Sequence, residues 1–272
     1  MDWELKDPLH LQDVNNVDAF HRRVVYAYHL TTATATRFFP QIWLEYAQIY
    51  IQNVKNLDEA RRVLREGYEA NPYSFLLTCA LAELEEQERN GPIAREIWEE
   101  FIQKLEEKYK LITEEYQQKE SNIKDPDSMD GIKLTQIDMD SMDGDARERF
   151  RDLQRRTYRQ REDIRELRDQ SLKTIARVIS LAWIHWIWLE RRVEGILAAR
   201  KVFSKARKAL SGTVTWHVYI ASARMEYHGS KNAQIAVKIL EAGLKEFSKE
   251  AQYINEYIRF LISINDDASM LL

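Results

Sequence analysis

Nine arginines fall between Arg147 and Arg168, the densest concentration of chemically capable side chains in the chain. Guanidinium groups read phosphates and carboxylates through paired N–H donors. Such a cluster predicts a surface for RNA or for an acidic partner, with Arg155, Arg156 and Arg159 at its centre. Glu148, Asp152, Glu162, Asp163 and Glu166 lie among them, and a solvated charged helix has the same composition. Other candidates are poorer. The six histidines (His10, His21, His29, His185, His217 and His228) contain no HxxxH or HExxH pair. Cys79 is the one cysteine and sits in a helical apolar pattern, as a small core residue does. The Asp-rich stretch 125–145 lacks the spacing and glycine of an EF-hand. No Gly-rich phosphate loop and no G-x-S-x-G turn occurs. The sequence therefore predicts no catalytic, cofactor-binding or metal site: the chain is expected not to be an enzyme.

Trp183, Trp186 and Trp188 form the second conspicuous group. Aromatic faces stack on bases, but Trp183 and Trp186 recur at helical spacing, which places them in a helix core. Trp188 falls on a different face.

The elements that must position these residues are helices. Among 272 residues there are 8 Gly and 5 Pro, too few turn formers for a β-sandwich. Hydrophobic residues at 44% allow a core, and charged residues at 31% keep its surface in water. The net charge of −4 argues against nonspecific nucleic-acid binding by the whole surface. One cysteine excludes an internal disulfide and fits a reducing compartment. No apolar run is long enough to span a membrane, and the acidic start Met1-Asp2-Trp3-Glu4 is not a signal peptide.

Two stretches repeat one pattern. Ile42-Trp43-Leu44-Glu45-Tyr46 precedes Ala60-Arg61, and Trp183-Ile184-His185-Trp186 precedes Ala199-Arg200. Ala94-Arg95 follows Ala60-Arg61 after 34 residues, a period of helix–turn–helix repeats. The expectation is an all-α stack of about five helical hairpins. A helix over 19–35, capped by Asp18, leads in. Hairpins follow at 40–53 with a partner helix from Asp58, at 73–89 with a partner from Pro92, at the Trp183 helix with the Ala199 helix, and at 214–228 with 232–247. A fifth opens at about 250 and is incomplete. Composition divides the chain into 1–120 with the first two repeats, a flexible acidic loop at 121–145, an Arg-rich helix at 146–172, and repeats three to five at 173–272. The repeat core is expected at Trp43, Ala60, Ala94, Trp183, Trp186, Ala199, Tyr219 and Ala236. Alanine lets helices approach, and the arginine after it reaches across the hairpin, with Glu190 or Glu226 as partners.

An aromatic, Glu seven residues later and Ala-Arg at about sixteen or seventeen resembles the HAT (half-a-TPR) repeat. Trp183, Glu190 and Ala199-Arg200 obey it best. Tyr219, Glu226 and Ala236 obey it with Val237 in place of arginine, and Trp43 with Ala60-Arg61 obeys it with Tyr50 in place of glutamate. The runs Ala198–Arg207, His217–Tyr227, Ile239–Lys245 and Tyr257–Asp267 resemble the suppressor-of-forked family, the large HAT subunit of cleavage stimulation factor and its fungal counterpart in cleavage factor I. The resemblance departs over about 105–172, where a charged insertion lies.

The resemblance implies an α-solenoid and a non-catalytic nuclear scaffold for pre-mRNA 3′-end cleavage and polyadenylation. It implies homodimerisation, contacts with other cleavage and polyadenylation subunits, and RNA met mainly through an RNA-recognition subunit. It implies no cofactor and no membrane, and leaves the cytoplasm open as a second compartment. The uncovered apolar stripe Ile254, Tyr257, Ile258 and Leu261 on the last helix is the candidate self-association surface. Its lack of a following partner suggests an internal piece of a longer protein. Two alternatives stand: direct RNA binding through 147–168, and a HAT-repeat splicing factor of the crooked-neck type.

Overall fold

A computed structural model describes residues 17–123, 128–129, 132–133 and 143–270. The irregular start expected over 1–16 lies outside them. Helix α1 (Val17–Thr32) begins before Asp18, which falls inside its first turn rather than capping it. It stops at Thr32, where the Thr31 and Thr32 hydroxyls donate to the Tyr28 carbonyl at 2.8 and 3.1 Å. A 3-10 turn (Ala35–Phe38) leads to α2 (Pro40–Ile49), opened by Pro40 at its first position. A π-helical turn (Tyr50–Val54) ends it.

The hairpins then follow in order. Helix α3 (Leu57–Ala70) pairs with α2, and α4 (Phe75–Gln87) with α5 (Gly91–Ser121). Helix α6 (Gly144–Val193) pairs with α7 (Ile196–Ala206), and α8 (Trp216–Ser230) with α9 (Ala233–Glu246). Helix α10 (Ala251–Met270) opens the fifth. Two-residue strands β1 (Ser128–Met129) and β2 (Ile132–Lys133) pair antiparallel and are the only strands among the described residues. The fold is all-α, an α-solenoid of helical hairpins.

The turn inside each hairpin is built alike. A backbone N–H after the turn donates to the carbonyl of the residue seven after the hairpin's opening position: Asn56 to Tyr50 at 3.0 Å, Asn90 to Glu85 at 2.8 Å, Gly195 to Glu190 at 2.9 Å and Asn232 to Glu226 at 3.2 Å. Lys55, Arg89 and Lys231, each preceding an Asn, take the positive φ that closes three of these turns; in the fourth Gly195 itself has φ +90° with an extended ψ, a combination open to glycine. Asn56 and Asn232 then cap the second helix, accepting from Glu59 and Ile235 N–H at 3.1 and 3.0 Å. Asp58 is thus not the cap; its carboxylate pairs with Arg61 at 2.7 Å.

The expected break at 172/173 does not exist. No glycine or proline occurs between Asp145 and Val193, so the Arg-rich segment and the Trp183 segment are one helix. Compact units accordingly divide inside helices rather than at changes of composition. One unit contains the described residues up to 104, then 181–208 and 216–270. It carries the hairpin stack. The other contains 105–180 and 209–215. In it the second half of α5 runs antiparallel to the first part of α6, tied where Glu120 accepts from Arg165 at 2.7 Å and the Ile123 carbonyl from Arg161 at 3.2 Å. Phe150, Thr157, Ala176 and Ile179 form its buried row. Most of the expected loop 121–145 lies outside the described residues.

Candidate interaction surfaces

The side chains named from the repeat spacing are buried. Ala60, Ala94, Ala199 and Ala236 have no exposure, and Trp43, Trp183, Trp186 and Tyr219 have 5% or less. Trp183 and Trp186 stack with centroids 5.3 Å apart, so neither presents a face to a base. The Trp43 indole N–H donates to the Arg37 carbonyl at 2.7 Å, whereas that of Trp183 is buried without a partner. The ring of Trp43 lies against α3 because Gly67 has no side chain: a Cβ there would stand 2.7 Å from Trp43 Cγ.

The arginine after each alanine does not act within its own hairpin, as the sequence suggested. It joins that hairpin to the next. Arg61 on α3 donates to Glu85 on α4 at 2.7 Å, Arg95 on α5 to Glu190 on α6 at 2.7 Å, and Arg200 on α7 to Glu226 on α8 at 2.6 Å. Glu85 and Glu226 are completely buried, and Glu190 nearly so. Each buried carboxylate therefore takes a charged partner from the preceding repeat and anchors its own turn through its carbonyl. Burying a carboxylate alone is strongly unfavourable, so this pairing fixes the order of the stack. Glu85 also accepts from Asn90 and Glu190 from the Trp186 indole, at 2.9 and 3.2 Å. In the second hairpin the opening position is Thr78, not an aromatic, and it is fully buried. A polar residue there is why periodicity alone missed it.

The fourth junction is different. Val237 stands at the arginine position, and Phe260, seven residues after Tyr253, stands at the acidic one. Both halves have become apolar together. Phe260 is 7% exposed, and Tyr253 is wholly buried with its hydroxyl donating to the Leu240 carbonyl at 2.5 Å. The inward face of α10 is thus Tyr253 and Phe260, which the stripe chosen from sequence did not include. Of that stripe, Ile254 and Tyr257 are half-buried, while Ile258 and Leu261 are exposed at 51% and 36%. Ile262 is exposed as well.

Arg155, Arg156 and Arg159 are all exposed. Arg155 approaches Asp152 at 3.5 Å. Further along, Arg165 and Arg168 both meet Glu120. Among the described residues Arg149, Arg151, Arg156 and Arg159 have no ion-pair partner.

His185 and the one cysteine, Cys79, belong to the packing of the stack. His185 packs on Phe75 and Trp98, with centroids 5.2 and 5.5 Å away, and burial holds its imidazole below the ordinary range. Burial pushes the Cys79 thiol up to about 12, far from a reactive thiolate. Among the described residues no three His, Cys, Asp or Glu side chains gather as metal ligands. No helix among them is long and apolar enough to cross a membrane.

Comparison with known proteins gives this architecture a family. The family model described as suppressor of forked protein (Suf) matches residues 1–271. A curated relative, the mRNA 3′-end-processing protein RNA14 of Cryptococcus neoformans var. neoformans serotype D (strain JEC21), is 36% identical over 272 residues, covering 97% of this chain and 25% of the relative. The mRNA 3′-end-processing proteins rna14 of Aspergillus fumigatus and Schizosaccharomyces pombe are 33% and 30% identical. They cover 97% and 98% of this chain, and 26% and 31% of their own lengths. The chain thus spans about a quarter to a third of these relatives. With the family model matching nearly every residue, and buried Arg–Glu junctions repeating through its stacked hairpins, the chain belongs to the suppressor of forked family.

Proposed function

We propose that this chain belongs to a non-catalytic scaffold of the pre-mRNA 3′-end cleavage and polyadenylation machinery, working in the nucleus through protein–protein contacts. The observation that carries the reading is the thrice-repeated Arg–Glu junction. The buried ionisable groups that an enzyme would use for chemistry are here spent on joining one hairpin to the next. Such a stack offers long faces to partners. The names of the relatives supply the process. The partners on this reading are other cleavage and polyadenylation subunits and a second copy of the protein, with RNA reached mainly through a separate RNA-recognition subunit. The exposed residues Ile258 and Leu261 on α10 are the proposed self-association contact.

The test is depletion of the protein from a nuclear extract competent for both 3′-end processing and splicing, followed by add-back. Loss and recovery of 3′-end cleavage with splicing intact is the expected result. Loss of splicing alone would favour a crooked-neck-type role and overturn the reading.

A further inference from the structure

The junction between α1 and α2 has no Arg–Glu pair at the position that closes the three junctions after it; its carboxylate, Glu45 on α2, accepts instead from the Tyr28 hydroxyl on α1 at 3.2 Å. Its acidic position, seven residues after Trp43, is held by Tyr50. Between α5 and α6 the arginine of the closed junction precedes its acid by 95 residues, Arg95 to Glu190. Where no long segment intervenes, the separation is 24, Arg61 to Glu85, or 26, Arg200 to Glu226. The same interval before Tyr50 falls on Val24, Val25 and Tyr26. Both halves of the pair are therefore missing, and a groove of about 650 Å³ opens at that place.

One wall is α1, with His21, Arg22, Tyr26 and His29. The other is α2 and its π-helical turn, with Tyr46 and Tyr50 buried as the floor. Tyr28 stacks on Tyr46 at 5.6 Å, and Tyr50 meets Tyr46 with its ring tilted by 38° at 5.4 Å. Turns of π type are rare and are concentrated at functional sites. Among the described residues no carboxylate lines the groove, and Arg22 and His29 have no partner. Tyr26 is 62% exposed at the rim. The groove thus holds a guanidinium, imidazoles and phenols over an aromatic floor, and lacks the acid that every closed junction contains.

We propose that this groove binds an acidic peptide segment of a partner protein, whose carboxylate supplies in trans the group that Glu85, Glu190 and Glu226 supply in the chain itself. Arg22 receives that carboxylate through charge-assisted hydrogen bonds. His21 and His29 flank it, and an aromatic or large apolar neighbour on the peptide packs between Tyr26 and the tyrosine floor. RNA fits less well. Affinity for a nucleic acid is built from many phosphate contacts, and only one guanidinium lines this groove on a chain of net charge −4. The inference rests on the geometry of α1 and α2 and not on the scaffold reading, so either can fail alone.

The test is selection of a displayed random dodecapeptide library on the protein, followed by fluorescence anisotropy with the consensus peptide. The expected consensus carries acids next to an aromatic. Arg22→Glu should weaken its binding by about tenfold or more, the loss of one charge-assisted hydrogen-bonded pair. Tyr26→Ser should weaken it several-fold. Both sites are exposed, and an unchanged circular dichroism melt will show that the fold is intact. Tyr50→Glu, which restores an acid in the chain, should also weaken binding. NMR signals of His21 and His29 should shift on peptide addition. A consensus without acids, binding indifferent to Arg22→Glu, or displacement of the peptide by lower concentrations of a single-stranded oligonucleotide would each overturn the assignment.

Discussion

Arg200 and Glu226 meet fork to fork across the junction of the third and fourth hairpins, Nε to Oε1 at 2.6 Å and Nη2 to Oε2 at 2.8 Å. The carboxylate has no exposure, while the guanidinium side chain keeps 36% of its surface in water. Removing the arginine strands a buried charge. Breaking a buried pair costs about 3–5 kcal/mol, and water beside Arg200 puts this one toward the lower end. Arg200→Ala should therefore destabilise the protein by about 3 kcal/mol in urea titration. Arg200→Met with Glu226→Leu should recover most of it, because an apolar pair of similar volume replaces a pair of desolvated charges. The native Val237 and Phe260 positions at the next junction are a natural version of that exchange. A double variant as unstable as the single one would show that the Arg–Glu pair does not govern the junction.

Gly67→Ala is predicted to destabilise, against the usual trend. Alanine favours a helix over glycine by about 1 kcal/mol. Here the added methyl would lie within 3 Å of Trp43 Cγ and Cβ, atoms too near the backbone to swing away. The overpacking should cost about 1–3 kcal/mol net, read as a lowered Tm. Trp43→Ala in the same chain, which removes Cγ and Cδ2, should relieve part of the overlap at the cost of its own cavity, so the two substitutions should be strongly non-additive.

Much of this stack was legible because its signals are local. The 34-residue return of Ala-Arg and the seven-residue step from Trp183 to Glu190 fixed the hairpins and named the buried alanines. The direction of each arginine was not legible. Arg200 lies on α7, within reach by sequence of either its own hairpin or the next, and only packing sends it to Glu226 on α8. Tyr253 does not stand out in the sequence because Ile254, Tyr257, Ile258 and Leu261 form the more apolar stripe. The structure turns that stripe partly outward, since the close approach of α9 at Gly243 admits the Tyr253 hydroxyl end. The single helix over 146–193 escaped a reading by composition, because a shift from charged to aromatic residues is no helix break.

Acidification should weaken the first unit through His185. Its imidazole is held below its ordinary value, first by burial, then by the nearby Arg192, with Glu83 opposing. The unfolded chain therefore binds this proton more readily. Stability contributed by the neutral ring is fully present above about pH 6.5, the ordinary histidine value, and is lost as pH falls through the depressed one. His185→Phe should flatten that part of a stability profile taken between pH 7 and 5. A profile with unchanged slope would assign the acid sensitivity elsewhere.

Direct RNA binding by α6 should be weak. Arg155 already approaches Asp152, and Arg165 and Arg168 share Glu120, so few phosphate contacts are available. The logarithm of RNA affinity should fall with the logarithm of salt with a slope of magnitude about 2–3, near 0.7 for each single-strand phosphate contact. Arg156→Gln with Arg159→Gln should remove about half of it. A slope several times steeper, abolished by these two changes, would instead support the arginine segment as a genuine RNA surface.

Self-association should run through α10. Ile258 and Ile262 lie one turn apart, each about half exposed, with Leu261 between them and Ile254 and Tyr257 half-buried alongside. Residues at three- and four-residue spacing share a face, so the apolar area is contiguous, as the patches that favour association are. Arg259 and Glu256 border it, paired to each other at 3.3 Å, and Glu256 also holds Arg224 at 2.6 Å. A polar rim around an apolar centre is the anatomy of a specific contact, and a self-complementary patch closes at two copies. Ile258→Asp with Ile262→Asp should convert a dimer to a monomer of 32.3 kDa in sedimentation equilibrium without changing helix content. Tyr253→Ala, on the opposite and buried side, should instead lower the melting temperature. A wild-type chain that stays monomeric at high micromolar concentration would remove the dimer proposal. Open-ended growth past two copies would mark the stripe as a surface that another element covers. A stable dimer that resists both aspartates would move the contact to a different helix.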